Sequence, residues 1–145
     1  MKRIAVIFFA LSFVAFGFNS CTTYEEGPEF SLLPAEMRIK GSWVQEAMYI
    51  NDQLQENTTF KLEFILQKDG SGTRYTKVES FTISDDIEWK LSDDKKTLLV
   101  KKPYSPIPSE TEWDDFKILR LTTNELWLEK VTRTSGIWQL RYKKV

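Results

Sequence analysis

The chain has 145 residues, with 20 basic and 21 acidic side chains, no histidine and one cysteine. So even a balance supplies no basic face for nucleic acid, and the lack of histidine removes a Ser-His-Asp triad, a Cys-His pair and any histidine zinc site. There is no glycine-rich phosphate loop or dinucleotide fingerprint either, which leaves only carboxylate, lysine or tyrosine chemistry and no sign of a cofactor.

The chain opens with Lys2 and Arg3, followed by a charge-free apolar run from Ile4 to Phe18. That pattern is a secretory leader, and the run is shorter than the roughly 20 residues a membrane-spanning helix needs. Its end carries the sole cysteine, in Phe18-Asn19-Ser20-Cys21. This tetrapeptide resembles the lipobox of bacterial lipoproteins, although the family usually has Leu where Phe18 stands and a small residue where Asn19 stands. The resemblance implies that residues 1–20 are a signal peptide and that Cys21 is lipidated and becomes the new N-terminus. It also implies a lipid anchor in the cell envelope, at the outer membrane. An unpaired thiol left in an oxidising envelope would otherwise be a liability.

Residues 21–33 are expected to form a lipidated tether, since Thr22 to Leu32 is poor in large apolar residues, lacks periodicity and contains Gly27-Pro28. Glu25 and Glu26, just beyond the anchor, resemble the surface-export signal of some Gram-negative lipoproteins; solvated linker charge is the alternative. Pro34 to Ile39 suits a short helical turn, with Pro at the first position and helix formers behind it.

From Gly41 onward the period is two. Gly41 to Ile50 is the first strand, and Thr59 to Gln67 sets Phe60, Leu62, Phe64 and Leu66 on one face. The turn Lys68 to Gly72 leads into Thr73 to Ile83, whose alternation is mixed, and Asp86 to Ser92 places Ile87, Trp89 and Leu91 together. Thr97 to Lys101, Trp113 to Leu121, Leu126 to Thr132 and Ile137 to Lys144 complete about eight strands. Most connections are short, so sequence neighbours pair antiparallel. Pro103 to Glu112, with three prolines, is the longest loop. An antiparallel meander of this size removes its edges most simply by closing into an all-β up-and-down barrel; a two-layer β-sandwich is the alternative.

Gly41-Ser42-Trp43 at the start of the first strand, after a helical turn, resembles the lipocalin GxW signature, and residues 34–145 resemble the small lipocalin-like domains of bacterial lipoproteins. Phe60, Leu62 and Phe64, the turn at Asp69-Gly70, Trp89-Lys90-Leu91 and Leu126-Trp127-Leu128 fit the same pattern. The resemblance implies that Trp43 plugs the closed end and that an arginine of the last strand stacks on it, Arg141 by position or Arg120 failing that. An eight-stranded barrel either fills itself or holds one small ligand. A pocket opposite Trp43 would be lined from Phe64, Tyr75, Trp89, Trp138 and Tyr142, though each of these also suits a packed core.

The acidic clusters Ser84-Asp85-Asp86, Ser92-Asp93-Asp94 and Asp114-Asp115 lack calcium-loop spacing and read as turn formers, so no metal is expected. Two functions stand at this point, neither enzymatic. One is a lipid-anchored barrel binding a small apolar or amphipathic ligand. The other is a filled barrel that docks an envelope protein through Trp113, Trp127 and the proline loop.

Overall fold

Gly41–Ile50 (β1) carries alternating inward side chains, and both of its edges are occupied. The computed structural model describes residues 23–56, 58–101 and 113–145. Cys21, the leader and the loop Pro103 to Glu112 lie outside the described residues. A four-residue helix, Ala35–Arg38 (α1), precedes β1. After β1 come Gln53–Leu54 (β2), Phe60–Leu66 (β3), Ser71–Val78 (β4), Phe81–Leu91 (β5), Thr97–Lys101 (β6), Trp113–Leu121 (β7), Glu125–Thr132 (β8) and Gly136–Lys144 (β9).

Every pairing is antiparallel, in the order β2-β1-β3-β4-β5-β6-β7-β8-β9, and β1 also pairs with β9. Closure through Trp43↔Lys144 and Ile50↔Trp138 makes β1 and β3 to β9 a closed eight-stranded up-and-down barrel. It is the arrangement that the resemblance to lipocalins implied. Two-residue β2 is the addition, folding back on β1 at Tyr49↔Leu54 and Ile50↔Gln53.

One turn lies elsewhere than the sequence suggested. Thr73 to Ile83 is not a single strand: the chain reverses between β4 and β5, with Val78 paired to Phe81 and Glu79 at φ 52°. Ser84-Asp85-Asp86, expected to be a turn, runs inside β5 because Asp85 is paired with Arg74. At the other end of β4, Gly72 has a steric role. A Cβ there would come within 2.4 Å of the Ile65 carbonyl, so only glycine lets β3 and β4 approach this closely.

The tether expectation also needs correction. Residues 24–27 are docked on the barrel: the Glu26 amide donates to the Leu119 carbonyl at 2.8 Å, and Tyr24 is buried in the core cluster. The Tyr24 hydroxyl donates to the Lys95 carbonyl at 3.1 Å, and its ring lies under the Arg38 guanidinium at 5.6 Å. A large aromatic such as Tyr24 gains more from this burial than from solvation. Among the described residues no helix is long and apolar enough to cross a membrane.

Candidate functional site

The barrel interior is divided into two levels. At the level nearer α1, Trp43, Leu66, Leu98, Leu121 and Leu126 are fully buried. Trp43 donates its indole N–H to the Ile39 carbonyl at 2.6 Å, which fixes α1 across this end. The cation over the Trp43 ring is Lys144, at 4.7 Å, with its ammonium donating to the Arg38 and Lys40 carbonyls. Burial holds the Lys144 pKa below the usual lysine value.

Arg141 does not reach Trp43. Its guanidinium lies over Trp127 at 4.1 Å and Tyr49 at 4.4 Å, and Arg120 lies over Trp127 at 5.3 Å. The cause is the pleat of β9, which turns Leu140, Tyr142 and Lys144 inward and Arg141 outward, and the register sets Lys144, not Arg141, opposite Trp43. Gly41 takes φ 127° where β1 begins, against the aliphatic stem of Lys144.

Above this plug comes an aromatic layer. Phe64 meets Phe116 edge-on at 6.2 Å and Tyr142 at 5.7 Å, with Leu128 and Leu140 filling the gaps. Phe64 and Tyr142, expected in a pocket lining, are 1% exposed and belong to this packing. Trp89 lies low in the barrel, its N–H shared between the Gln67 and Ser71 carbonyls. Tyr75 pairs with Glu63 and Ser84, so the pleat turns it outward, away from the inward register of Phe64, Arg74 and Asp85. Of the five expected lining residues, Trp138 alone sits in the upper interior.

Over the aromatic layer stands a charged chain that the sequence reading did not anticipate. Arg74 pairs with Asp85 at 2.8 Å and approaches Asp114 at 4.0 Å, and Lys130 also pairs with Asp114. The four come from β4, β5, β7 and β8 and bridge the interior. The Lys130 ammonium lies 4.7 Å above the Phe116 ring, which places the charges directly on the aromatic floor. Ion pairs here are partly desolvated, and each needs its partner to be tolerable. Trp138, the register partner of Lys130, meets Phe60 edge-on at 6.1 Å.

Two donors at this level are buried with no partner: Arg74 Nε and Trp138 Nε1. The Tyr142 hydroxyl in the floor is a third, and burial, with a smaller contribution from the Glu63 carboxylate, pushes its pKa up. Donors buried without acceptors cost free energy, and the described residues supply none to these; Arg38 Nε at the plugged end and Arg141 Nε on the outer face are buried unpartnered as well.

A recess lies beside β1. The pairing of β1 with β3 stops at Trp43↔Phe64; beyond it the Leu62 amide donates to the Gln45 side chain at 2.8 Å instead of to a strand carbonyl. The upper part of β1 is taken by β2, leaving a recess of about 440 Å³ lined by Met48, Ile50, Leu54, Gln55, Glu56, Thr58 and Thr59. That volume falls in the range of small-molecule pockets. At the same end the β4–β5 hairpin projects an apolar lip, with Val78, Phe81 and Ile83 all exposed.

The remaining acidic residues are engaged locally. Asp94 accepts from Ser92 and from the Lys96 amide, and Asp69 accepts from both the Ser71 amide and hydroxyl. Among the described residues no group of three carboxylates or other ligands converges as a metal site. Trp113 and Trp127, expected as an exposed docking patch, are half-buried beneath Lys90 and beneath Arg120 and Arg141.

No protein-family model matches the chain, and no curated protein does. Solved structures similar to it include a deswapped triple mutant of bovine odorant binding protein, at 16% identity and a TM-score of 0.43, with 74% of each chain covered. Bovine odorant binding protein complexed with its natural ligand is similar at 20% identity and a TM-score of 0.42, covering 83% of this chain and 77% of that one. A structure of the odorant-binding protein from bovine nasal mucosa gives the same values. Likeness of this size carries no argument about function, and the barrel here is defined by its own strand register.

Proposed function

We propose that the protein is an envelope lipoprotein, anchored through Cys21, whose barrel binds a small amphipathic molecule in its upper half. The supporting observation is the pair of unpartnered donors, Arg74 Nε and Trp138 Nε1, at the charged level of the interior. The lower half is filled, so a ligand would be shallow, with its apolar part in the recess near Met48, Ile50 and Leu54. Its polar end would carry acceptor oxygens, as a carboxylate or ester does. The role is binding rather than catalysis, with the anchor keeping the barrel at the outer membrane; the acidic pair Glu25-Glu26 supports display on the surface.

A matched ten-carbon series tests the ligand part by titration calorimetry. Decanoate and its methyl ester are expected to bind saturably, whereas decane, which brings no acceptor, is not. Equal uptake of all three, or of none, contradicts the assignment. Mass spectrometry of the membrane fraction tests the anchor, the expected species being an acylated N-terminal peptide beginning at Cys21.

A second reading keeps the barrel as a docking element for another envelope protein. The exposed lip of Val78, Phe81 and Ile83 favours it. A pull-down from envelope extract that is lost on Phe81→Ser, with decanoate binding absent, would select this reading.

A further inference from the structure

Between the docked segment at Tyr24 and the helix α1, the chain exposes large apolar side chains at close intervals. Phe30 is 59% exposed, Leu32 87%, Leu33 41% and Met37 58%. Isolated exposed apolar residues are ordinary, but four within eight positions form a patch that water does not favour. The helix explains why Met37 joins them: α1 buries Ala35 and Arg38 against the barrel, which leaves Met37 outside.

The position of the patch identifies what covers it. Tyr24 is held at the plugged end by Lys95 and Arg38, and Glu26 is held there by Leu119 and by Arg120, which donates to its carbonyl at 2.6 Å. Cys21 stands three positions before Tyr24, a reach of at most about 11 Å. A lipid on Cys21 therefore cannot stand off from the plugged end, and the bilayer it enters lies against that end.

We infer that the plugged end of the barrel rests on the bilayer surface, with Phe30, Leu32, Leu33 and Met37 in the headgroup region and the recess facing the aqueous side. Apolar side chains beside a covalent lipid gain from shallow insertion in this way. The recess is at the far end of strands such as nine-residue β9, roughly 30 Å long at the usual rise, so the ligand arrives from water and not sideways from the membrane. The inference rests on the lipid-anchor reading of Cys21.

The test uses the full chain, processed in a bacterial host and reconstituted into phosphatidylcholine and phosphatidylglycerol vesicles. Because Cys21 is the sole native cysteine and its sulfur is blocked when lipidated, Leu32→Cys or Thr134→Cys supplies one unique thiol for a polarity-sensitive fluorophore. Thr134 is in the β8–β9 turn at the open end and is exposed. With brominated lipids, the label at 32 is expected to lose most of its emission and the label at 134 to keep it. Vesicle-bound protein whose two labels are quenched alike, or whose label at 134 is quenched more, overturns the inference. So does a label at 32 that is blue-shifted but untouched by bromine, which would mean that a protein covers the patch. A chain that does not float with vesicles and takes up a second label at Cys21 overturns the anchor itself, and the orientation with it.

Discussion

The two halves of the barrel treat polar groups differently. At the plugged end most are matched, the Trp43 indole to Ile39, the Lys144 ammonium to two carbonyls and the Tyr24 hydroxyl to Lys95, with Arg38 Nε the exception. At the open end, charges cross the interior, and Trp138 and Arg74 keep donors without acceptors among the described residues. The lower half is packed with apolar side chains and the upper half is crossed by charge, and the proposed ligand site belongs to the upper half. Buried donors without partners are tolerated where a ligand completes them.

The sharpest way to break this contrast is to empty the plug. Trp43→Ala is expected to cost roughly 3 to 5 kcal/mol in urea denaturation, because it removes a fully buried ring and its hydrogen bond together. Affinity for decanoate, measured on the folded fraction, should stay unchanged. A melting temperature unaltered by the substitution would remove Trp43 from the core.

Alkaline pH acts on the same end. Burial pushes the Tyr24 pKa up to about 12 from its ordinary value of 10. The native state then holds a proton that the unfolded chain releases, so this contribution is complete below pH 10 and is lost as pH rises towards 12. The expected loss is on the order of 2 kcal/mol at the upper limit. Tyr24→Phe should flatten the slope of stability against pH in that window; an unchanged slope would show that Tyr24 is not docked.

Arg74→Ala is expected to cost less, about 1 to 2 kcal/mol, since the pairs it breaks are only partly desolvated and Asp114 keeps Lys130. Unlike the plug substitution, it should abolish saturable decanoate binding. Loss of stability with binding intact would show the charged chain to be structural only.

How much of this could be read in the sequence depended on where the alternation was clean. Phe60, Leu62, Phe64 and Leu66 alternate strictly, and β3 forms where the pattern places it. Gly41-Ser42-Trp43 marks the start of β1 through its resemblance to the lipocalin signature. The β4–β5 reversal was hidden because Glu79 takes a positive φ without the glycine or asparagine that usually marks one, while Ser84-Asp85-Asp86 imitates a turn. That displacement concealed Arg74 and Asp85 as inward neighbours. Lys130 was visible in principle, two positions beyond Leu128 on the inward face of β8, but a lysine there reads as a strand end until Asp114 is seen opposite. The exchange of Arg141 for Lys144 over Trp43 follows from the β1–β9 register, with Arg141 on the opposite face from Leu140 and Tyr142, as the alternation of β9 already indicates.

Tyr24 was missed for another reason. A segment poor in large apolar residues and without periodicity reads as a solvated tether, yet one buried aromatic is enough to fasten it. The segment at Tyr24 and the plug are therefore one structure.

The most direct test of the receptive half is the affinity of Trp138→Phe for decanoate. The substitution keeps an aromatic ring against Phe60 and removes only the unpartnered N–H. The account predicts unchanged or slightly raised thermal stability with affinity weakened about fivefold, the equivalent of roughly 1 kcal/mol for one hydrogen bond. Identical affinity in the two proteins, or a fall in stability showing that the indole was already satisfied, would contradict it.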